Sequence, residues 1–168
     1  VDAIESARTT IVFANSRGVA ERLTQRLNEV WVERTTGERP QPDTRNPAQM
    51  GGLSGVSSGV EPVLARAHHG SVSKEQRALI EDDLKSGRLR CVVATSSLEL
   101  GIDMGAVDLV IQVESPGAVS RGLQRIGRAG HQVGEVSVGW FFPKHRGDLV
   151  STAVVVERML AGQIEALH

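Results

Sequence analysis

Val107-Asp108-Leu109-Val110-Ile111-Gln112-Val113 is apolar at five of its seven positions. A strand with one wet face alternates apolar and polar residues. A strand covered on both faces does not, and such strands belong to parallel sheets packed between helices. Working outward, 90–94 (Arg-Cys-Val-Val-Ala) and 10–14 (Thr-Ile-Val-Phe-Ala) read the same way. A short strand is expected at 63–67 and a last one at 134–142. Helical periodicity runs between them, at 17–32 through Ala20, Leu23, Leu27 and Val30, and at 73–86, 118–128 and 148–160. Ser73 with Gln76, and Ser96 with Glu99, have the spacing of capping boxes. Strand and helix alternate throughout, which predicts an α/β fold: a three-layer sandwich around a mainly parallel sheet.

The 168 residues suffice for one domain, with a solvated, mobile insertion expected at about 35–61, where Pro40, Pro42, Pro47 and Gly51-Gly52 cluster. The net charge is -1, so any case for an anionic partner must be local. Cys91 is the only cysteine and lies in an apolar run, which excludes a disulfide framework and fits a reducing, cytoplasmic location. No apolar run approaches the roughly 20 residues that span a bilayer, so no membrane partner is expected. The chain opens mid-phrase at Val1-Asp2, as an excerpt from a longer protein would.

In such sheets ligands bind at the carboxyl ends of the strands. The residues there are Asn15-Ser16-Arg17, His68-His69-Gly70-Ser71, Thr95-Ser96-Ser97 and Glu114-Ser115-Pro116-Gly117. Any one such turn reads most simply as a helix cap. Four together, with Arg17 and the histidines, favour an edge that binds phosphates through free backbone N–H groups. His68-His69 lacks a third partner for a metal, so no metal site is expected.

A second feature is Gln124-Arg125-Ile126-Gly127-Arg128-Ala129-Gly130-His131. With Arg121, it sets three guanidiniums along one side of a helix. Like charges so placed repel, and something anionic should face them. The chain lacks a G-x-x-x-x-G-K-[ST] loop and a G-x-G-x-x-G after the first strand, so it cannot cradle a triphosphate in the usual way. Between 117 and 147, Arg121, Arg125, Arg128, Lys144 and Arg146 face Glu135 alone. This is a half-site of cations that completes a site held elsewhere, as an arginine finger does.

These motifs, in this order, resemble the second RecA-like domain of superfamily 2 helicases, over nearly the full chain. Phe13-Ala14-Asn15-Ser16-Arg17 resembles motif IV, and the segment from Val93 through Asp103 resembles motif V. Gln124 to His131 resembles motif VI, and His69-Gly70 with Arg77 resembles the element between IV and V. The wording is most similar to the Lhr family of large helicase-related proteins. The resemblance implies a RecA-like, P-loop NTPase-type helicase C-terminal domain. It implies that Arg128 is the catalytic arginine at the γ-phosphate of ATP. Gly101, Asp103, Gln124, Arg125 and His131 would contact the nucleotide with it. His131 stands where the superfamily often has a second arginine, and a histidine is a weaker, titratable cation. Asn15, Ser16, Arg17, His69, Gly70, Thr95, Ser96 and Ser97 would hold backbone phosphates of a single strand.

The resemblance further implies an ATP-dependent helicase motor domain that tracks single-stranded DNA 3′-to-5′ and unwinds DNA or RNA–DNA duplexes. Mg2+ would be held mainly by a first RecA-like domain, and a winged-helix domain would come after this one. The location implied is the bacterial cytoplasm, with the nucleoid. The alternatives are an RNA helicase domain of DEAD-box type and a non-catalytic nucleic-acid-binding module of the same fold. Trp31 and Trp140-Phe141-Phe142 are expected to pack in the core rather than stack on bases. Lys144-His145-Arg146 reads as a solvated turn or a contact to nucleic acid or a partner domain.

Overall fold

A computed structural model describes residues 1–37, 63–99, 107–130 and 137–165. Its middle layer is a five-stranded sheet of β1 (Thr10–Phe13), β2 (Ala65–His68), β3 (Cys91–Ala94), β4 (Leu109–Val113) and β5 (Gly139–Phe142), in the order β2-β3-β1-β4-β5. Every pairing is parallel. Phe13 lies beside both Ala94 and Gln112, and His68 beside Ala94, so the carboxyl ends of four strands finish level.

Period-two alternation divides the strands between two cores. Ile11, Phe13, Val92, Ala94 and Val110 pack with Ile80 and Leu84 of α3 (Lys74–Lys85), with Ile126 of α4 (Val119–Ile126) against them. Val12, Ala14, Cys91, Val93, Leu109 and Ile111 pack with Ile4 of α1 (Asp2–Ser6) and with Ala20, Leu23, Leu27 and Trp31 of α2 (Arg17–Thr36). Helices on both faces make the three layers and explain why the strands read as unbroken apolar runs. Burial pushes the Cys91 thiol up to about 12, so it stays an inert core residue. The last helix, α5 (Arg146–Leu160), lies against α4, where Gly122 leaves room for the Met159 sulfur.

Several boundaries differ from the sequence reading. Helix α2 runs to Thr36 because Gly37 takes a left-handed φ of 74° and returns its N–H to the Glu33 carbonyl. The first two residues of the expected insertion are therefore helical; the rest, after Gly37, lies outside the described residues. Strand β4 starts at Leu109, since the Asp108 carboxylate turns aside to take the N–H groups of Arg8 and Thr9 at 2.8 and 2.9 Å. The Ser73 hydroxyl caps α3 by accepting from the Gln76 N–H. The second expected box is not made: Ser96–Leu98 is a single 3-10 turn without a side-chain cap, and the Glu99 carboxylate goes elsewhere. Trp140 and Phe142 are not core residues. They are 46% and 49% exposed: β5 is an edge strand, and these two alternate positions share its more exposed face. Helix α1 had no counterpart in the sequence reading.

Candidate nucleic-acid cleft and arginine cluster

Three of the four expected turns meet. Sheet order puts β1, β3 and β2 side by side, and the residues after them line one cleft of about 540 Å³: Asn15, Ser16, Arg17, Gly18, His69, Gly70, Ser71, Thr95 and Ser96. Ser16 caps α2 by accepting from the Val19 N–H. Arg17 reaches across the cleft and donates to the Ser71 hydroxyl at 2.6 Å. His69 is buried; its Nε2 lies 2.6 Å from Glu21 Oε1 and its Nδ1 accepts from the Ser71 N–H. The ring therefore shapes the Gly70-Ser71 turn.

Ser97, predicted to face the strand, is turned inward. Its hydroxyl lies 2.7 Å from His68 Nδ1 and 2.8 Å from the His68 carbonyl. The other side of that ring meets Glu81 at 2.9 Å. Burial holds the His68 imidazole below its ordinary value, opposed by Glu81. No three His, Cys, Asp or Glu side chains gather to hold a metal among the described residues.

The fourth turn is not among the residues that line the cleft, since β4 lies on the other side of β1 from β3 and β2, and carboxylates of the chain itself take N–H groups in and around that turn. Asp148 Oδ1 accepts from the Ser115 N–H at 2.7 Å, and its Oδ2 from the Lys144 N–H. Glu165 accepts from Val119 and Ser120 at the N-terminus of α4. These backbone bonds hold the Glu165 carboxyl down to about 2 from 4.5. A depressed folded value stabilises the fold above the unfolded value, and that contribution is lost as pH falls through the folded value. The gap in thermal midpoint between the parent chain and Glu165→Gln is thus expected to be constant above pH 4.5 and to close toward pH 2. A gap that does not change with pH would mean that the Glu165 charge has no part in holding α4.

The anion facing the arginine row is Glu99. Arg125 is 2% exposed; its Nε donates to Glu99 Oε1 at 2.8 Å, and its Nη2 bonds the same oxygen. Its Nη1 donates to Gln112 Oε1 at 2.8 Å and to Asn15 Oδ1 at 3.0 Å, and its Cζ lies 5.1 Å from the Phe13 ring centroid. Burial pushes the Arg125 guanidinium down from its ordinary value, with Glu99 opposing. Arg121 Nε lies 3.8 Å from Glu99 Oε2, and Arg128 Nη2 donates to the Glu99 backbone carbonyl at 2.9 Å. The three arginines therefore differ in kind. Arg125 faces into the domain rather than into an open cleft, Arg121 is exposed, and Arg128 is half-buried on the turn after α4.

Gln124 is exposed on α4. Gly101, Asp103 and His131 lie outside the described residues. Glu99, Gln112, Asp148 and Glu165 were missed by sequence reasoning. For Glu99 a signal existed, since the unbalanced arginine row required a nearby carboxylate. His145, read as part of a turn, caps α5 through Nδ1, and Lys144 pairs with Glu114 at 3.1 Å.

A family model described as "Helicase conserved C-terminal domain" matches residues 57–132. The Lhr helicase/probable uracil glycosylase of Mycolicibacterium smegmatis is 64% identical over 173 residues, covering 100% of this chain and 11% of that protein. The Lhr helicase/uracil glycosylase of Escherichia coli is 59% identical over 171 residues, covering 99% and 11%. The chain thus spans about a tenth of the length of these curated relatives. The solved structure of Mycobacterium smegmatis helicase Lhr bound to ssDNA and AMP-PNP superposes with a TM-score of 0.82 at 62% identity, covering 99% of this chain and 19% of that one.

Proposed function

Because the chain belongs to the Lhr family of superfamily 2 helicases, as a helicase C-terminal, RecA-like domain, we propose that it is the second motor domain of an ATP-dependent translocase on single-stranded DNA. The carrying observation is that one short segment serves both halves of the task. Thr95 and Ser96 line the cleft, and Glu99, at the end of the same 3-10 turn, holds Arg125 and Arg128. A relative bound to ssDNA and AMP-PNP supports both ligands.

In this reading the cleft holds a DNA strand by its phosphates, through Arg17, the Ser and Thr hydroxyls and backbone N–H groups. Such contacts position a strand without reading its sequence. ATP with Mg2+, bound on a preceding domain, supplies the phosphoryl group whose developing charge Arg128 meets from this side. Arg128 suits that role chemically: its guanidinium is a permanently charged planar fork, half-buried on the turn after α4. We assign Mg2+ mainly to the preceding domain, as the family resemblance implies. Closing and opening of the two domains would move the strand in steps. We extend the reading to 3′-to-5′ tracking, to unwinding of DNA or RNA–DNA duplexes, to a winged-helix domain after this one, and to the bacterial cytoplasm and nucleoid.

The test is binding of single-stranded oligonucleotides of several sequences to the full-length protein across a salt series. Affinity should be independent of sequence and fall steeply with salt, by about 0.7 in the log–log slope for each phosphate neutralised. Arg17→Ala should flatten that slope by about 0.7. Binding that depends on sequence, or a slope that Arg17→Ala leaves unchanged, would move the strand off this cleft.

A further inference from the structure

We infer that Asn15, Arg125 and Glu99 form a relay through which a strand in the cleft sets the position of Arg128, and that Asn15 is a positioning residue rather than a phosphate ligand. This rests on the function proposed above and adds the route by which DNA would stimulate hydrolysis.

Asn15 lines the cleft, yet both ends of its amide are bound to the protein. Its Nδ2 donates to the Ser115 carbonyl at 2.6 Å, and its Oδ1 accepts from Arg125 Nη1 at 3.0 Å. Arg125 is buried and passes the contact on through two nitrogens to Glu99 Oε1. The Glu99 backbone carbonyl then receives Arg128 Nη2. A parallel backbone route runs from Ser96, whose carbonyl accepts the Glu99 N–H at 3.1 Å, to the same carbonyl of Glu99. Between the cleft and Arg128 there is therefore a series of hydrogen bonds joined through the covalent frame of Glu99, whose carboxylate takes Arg125 and whose carbonyl takes Arg128.

Its physical character makes it more than an adjacency. Arg125 has Gln112 at its second Nη1 contact and the Phe13 ring against its face. A fork held at Glu99, Gln112 and Asn15 cannot shift one bond while keeping the others. Close-packed, charge-assisted networks of this kind hold discrete arrangements instead of deforming smoothly. In this relay a phosphate on the turn Asn15-Ser16-Arg17 shifts Asn15, the fork follows, and the Glu99 carboxylate it holds carries the strain to the backbone carbonyl that Arg128 bonds. Neutral Asn15 supplies no charge to a phosphate, whereas Arg17 beside it does.

The test is Asn15→Ala in the full-length protein, with ssDNA affinity and the kcat for ATP hydrolysis at saturating ssDNA measured separately. The relay predicts that saturated kcat falls about tenfold, within the usual range of couplings between sites, while the Kd for ssDNA stays within about threefold. Glu99→Gln keeps an oxygen for Arg125 but removes the charge; with thermal unfolding measured alongside so that the rate is read on folded protein, it should lower saturated kcat similarly. The double variant Asn15→Ala/Glu99→Gln should be no worse than the poorer single, as for residues of one network. Weakened ssDNA binding in Asn15→Ala, with or without loss of rate, would overturn the relay by making Asn15 a ligand. Unchanged saturated kcat, or additive losses in the double variant, would also overturn it. Failure of the underlying reading shows differently, as a parent protein whose hydrolysis ssDNA does not stimulate.

Discussion

Arg128→Ala in the full-length protein is expected to lower ssDNA-stimulated ATP hydrolysis by roughly a thousandfold, the lower end of what an arginine finger contributes, with ssDNA affinity within about threefold of the parent. The expectation rests on where the structure puts the side chain. Arg128 lies on the turn after α4, is not among the residues that line the cleft, and is steered by a bond to the Glu99 carbonyl. It is the half-buried member of its row, beside one arginine that is buried and one that is exposed. Arg128→Lys should recover only a small part of the rate, because an ammonium lacks the planar fork that meets two phosphate oxygens at once. Steady-state hydrolysis with and without saturating ssDNA, together with anisotropy titrations, measures both quantities. A variant that hydrolyses ATP at the parent rate would remove Arg128 from the reaction.

Arg125→Met is expected to damage the fold in addition to breaking the contact between Asn15 and Glu99. Removing the guanidinium leaves the Glu99 carboxylate, on a residue 7% exposed, without its buried partner, and leaves Gln112 Oε1 without that donor. Breaking a buried ion pair from one side costs about 3–5 kcal/mol. For a chain of this size that is on the order of 10 °C in thermal midpoint. The cost lies in the stranded charge. Arg125→Met combined with Glu99→Leu should therefore regain most of the loss, since an apolar replacement of a whole buried pair is often neutral or better. Thermal unfolding of the three variants decides it. If the double variant is no more stable than Arg125→Met, the destabilisation comes from the Gln112 and Asn15 oxygens left without a donor and from lost packing against Phe13, and not from an unpaired carboxylate.

These two arginines lie three positions apart, and nothing in their local pattern tells them apart. Helical spacing places 121, 125 and 128 on one side, but not which of them the fold turns inward. That depends on Glu99, 26 positions away from Arg125, and local spacing made Ser96 and Glu99 look like a cap. Distance along the chain also hid Glu165, which closes the N-terminus of α4 from 46 positions away. Features carried by local pattern were legible. The apolar runs at 90–94 and 107–113 made a parallel sheet, and the small polar residues after the first three strands meet in one cleft. Trp140 and Phe142 were misread because composition marks a strand without marking it as the outer one.

In this reading the domain has two working edges, a cleft for the strand and a cationic edge for the nucleotide. The most direct measurement crosses them, comparing Arg17→Ala and Arg128→Ala in the full-length protein by ssDNA affinity and by kcat at saturating ssDNA. Arg17→Ala should weaken affinity and spare saturated kcat, while Arg128→Ala should do the reverse. Loss of ssDNA binding in Arg128→Ala with basal hydrolysis intact would place that arginine on the strand and contradict the division.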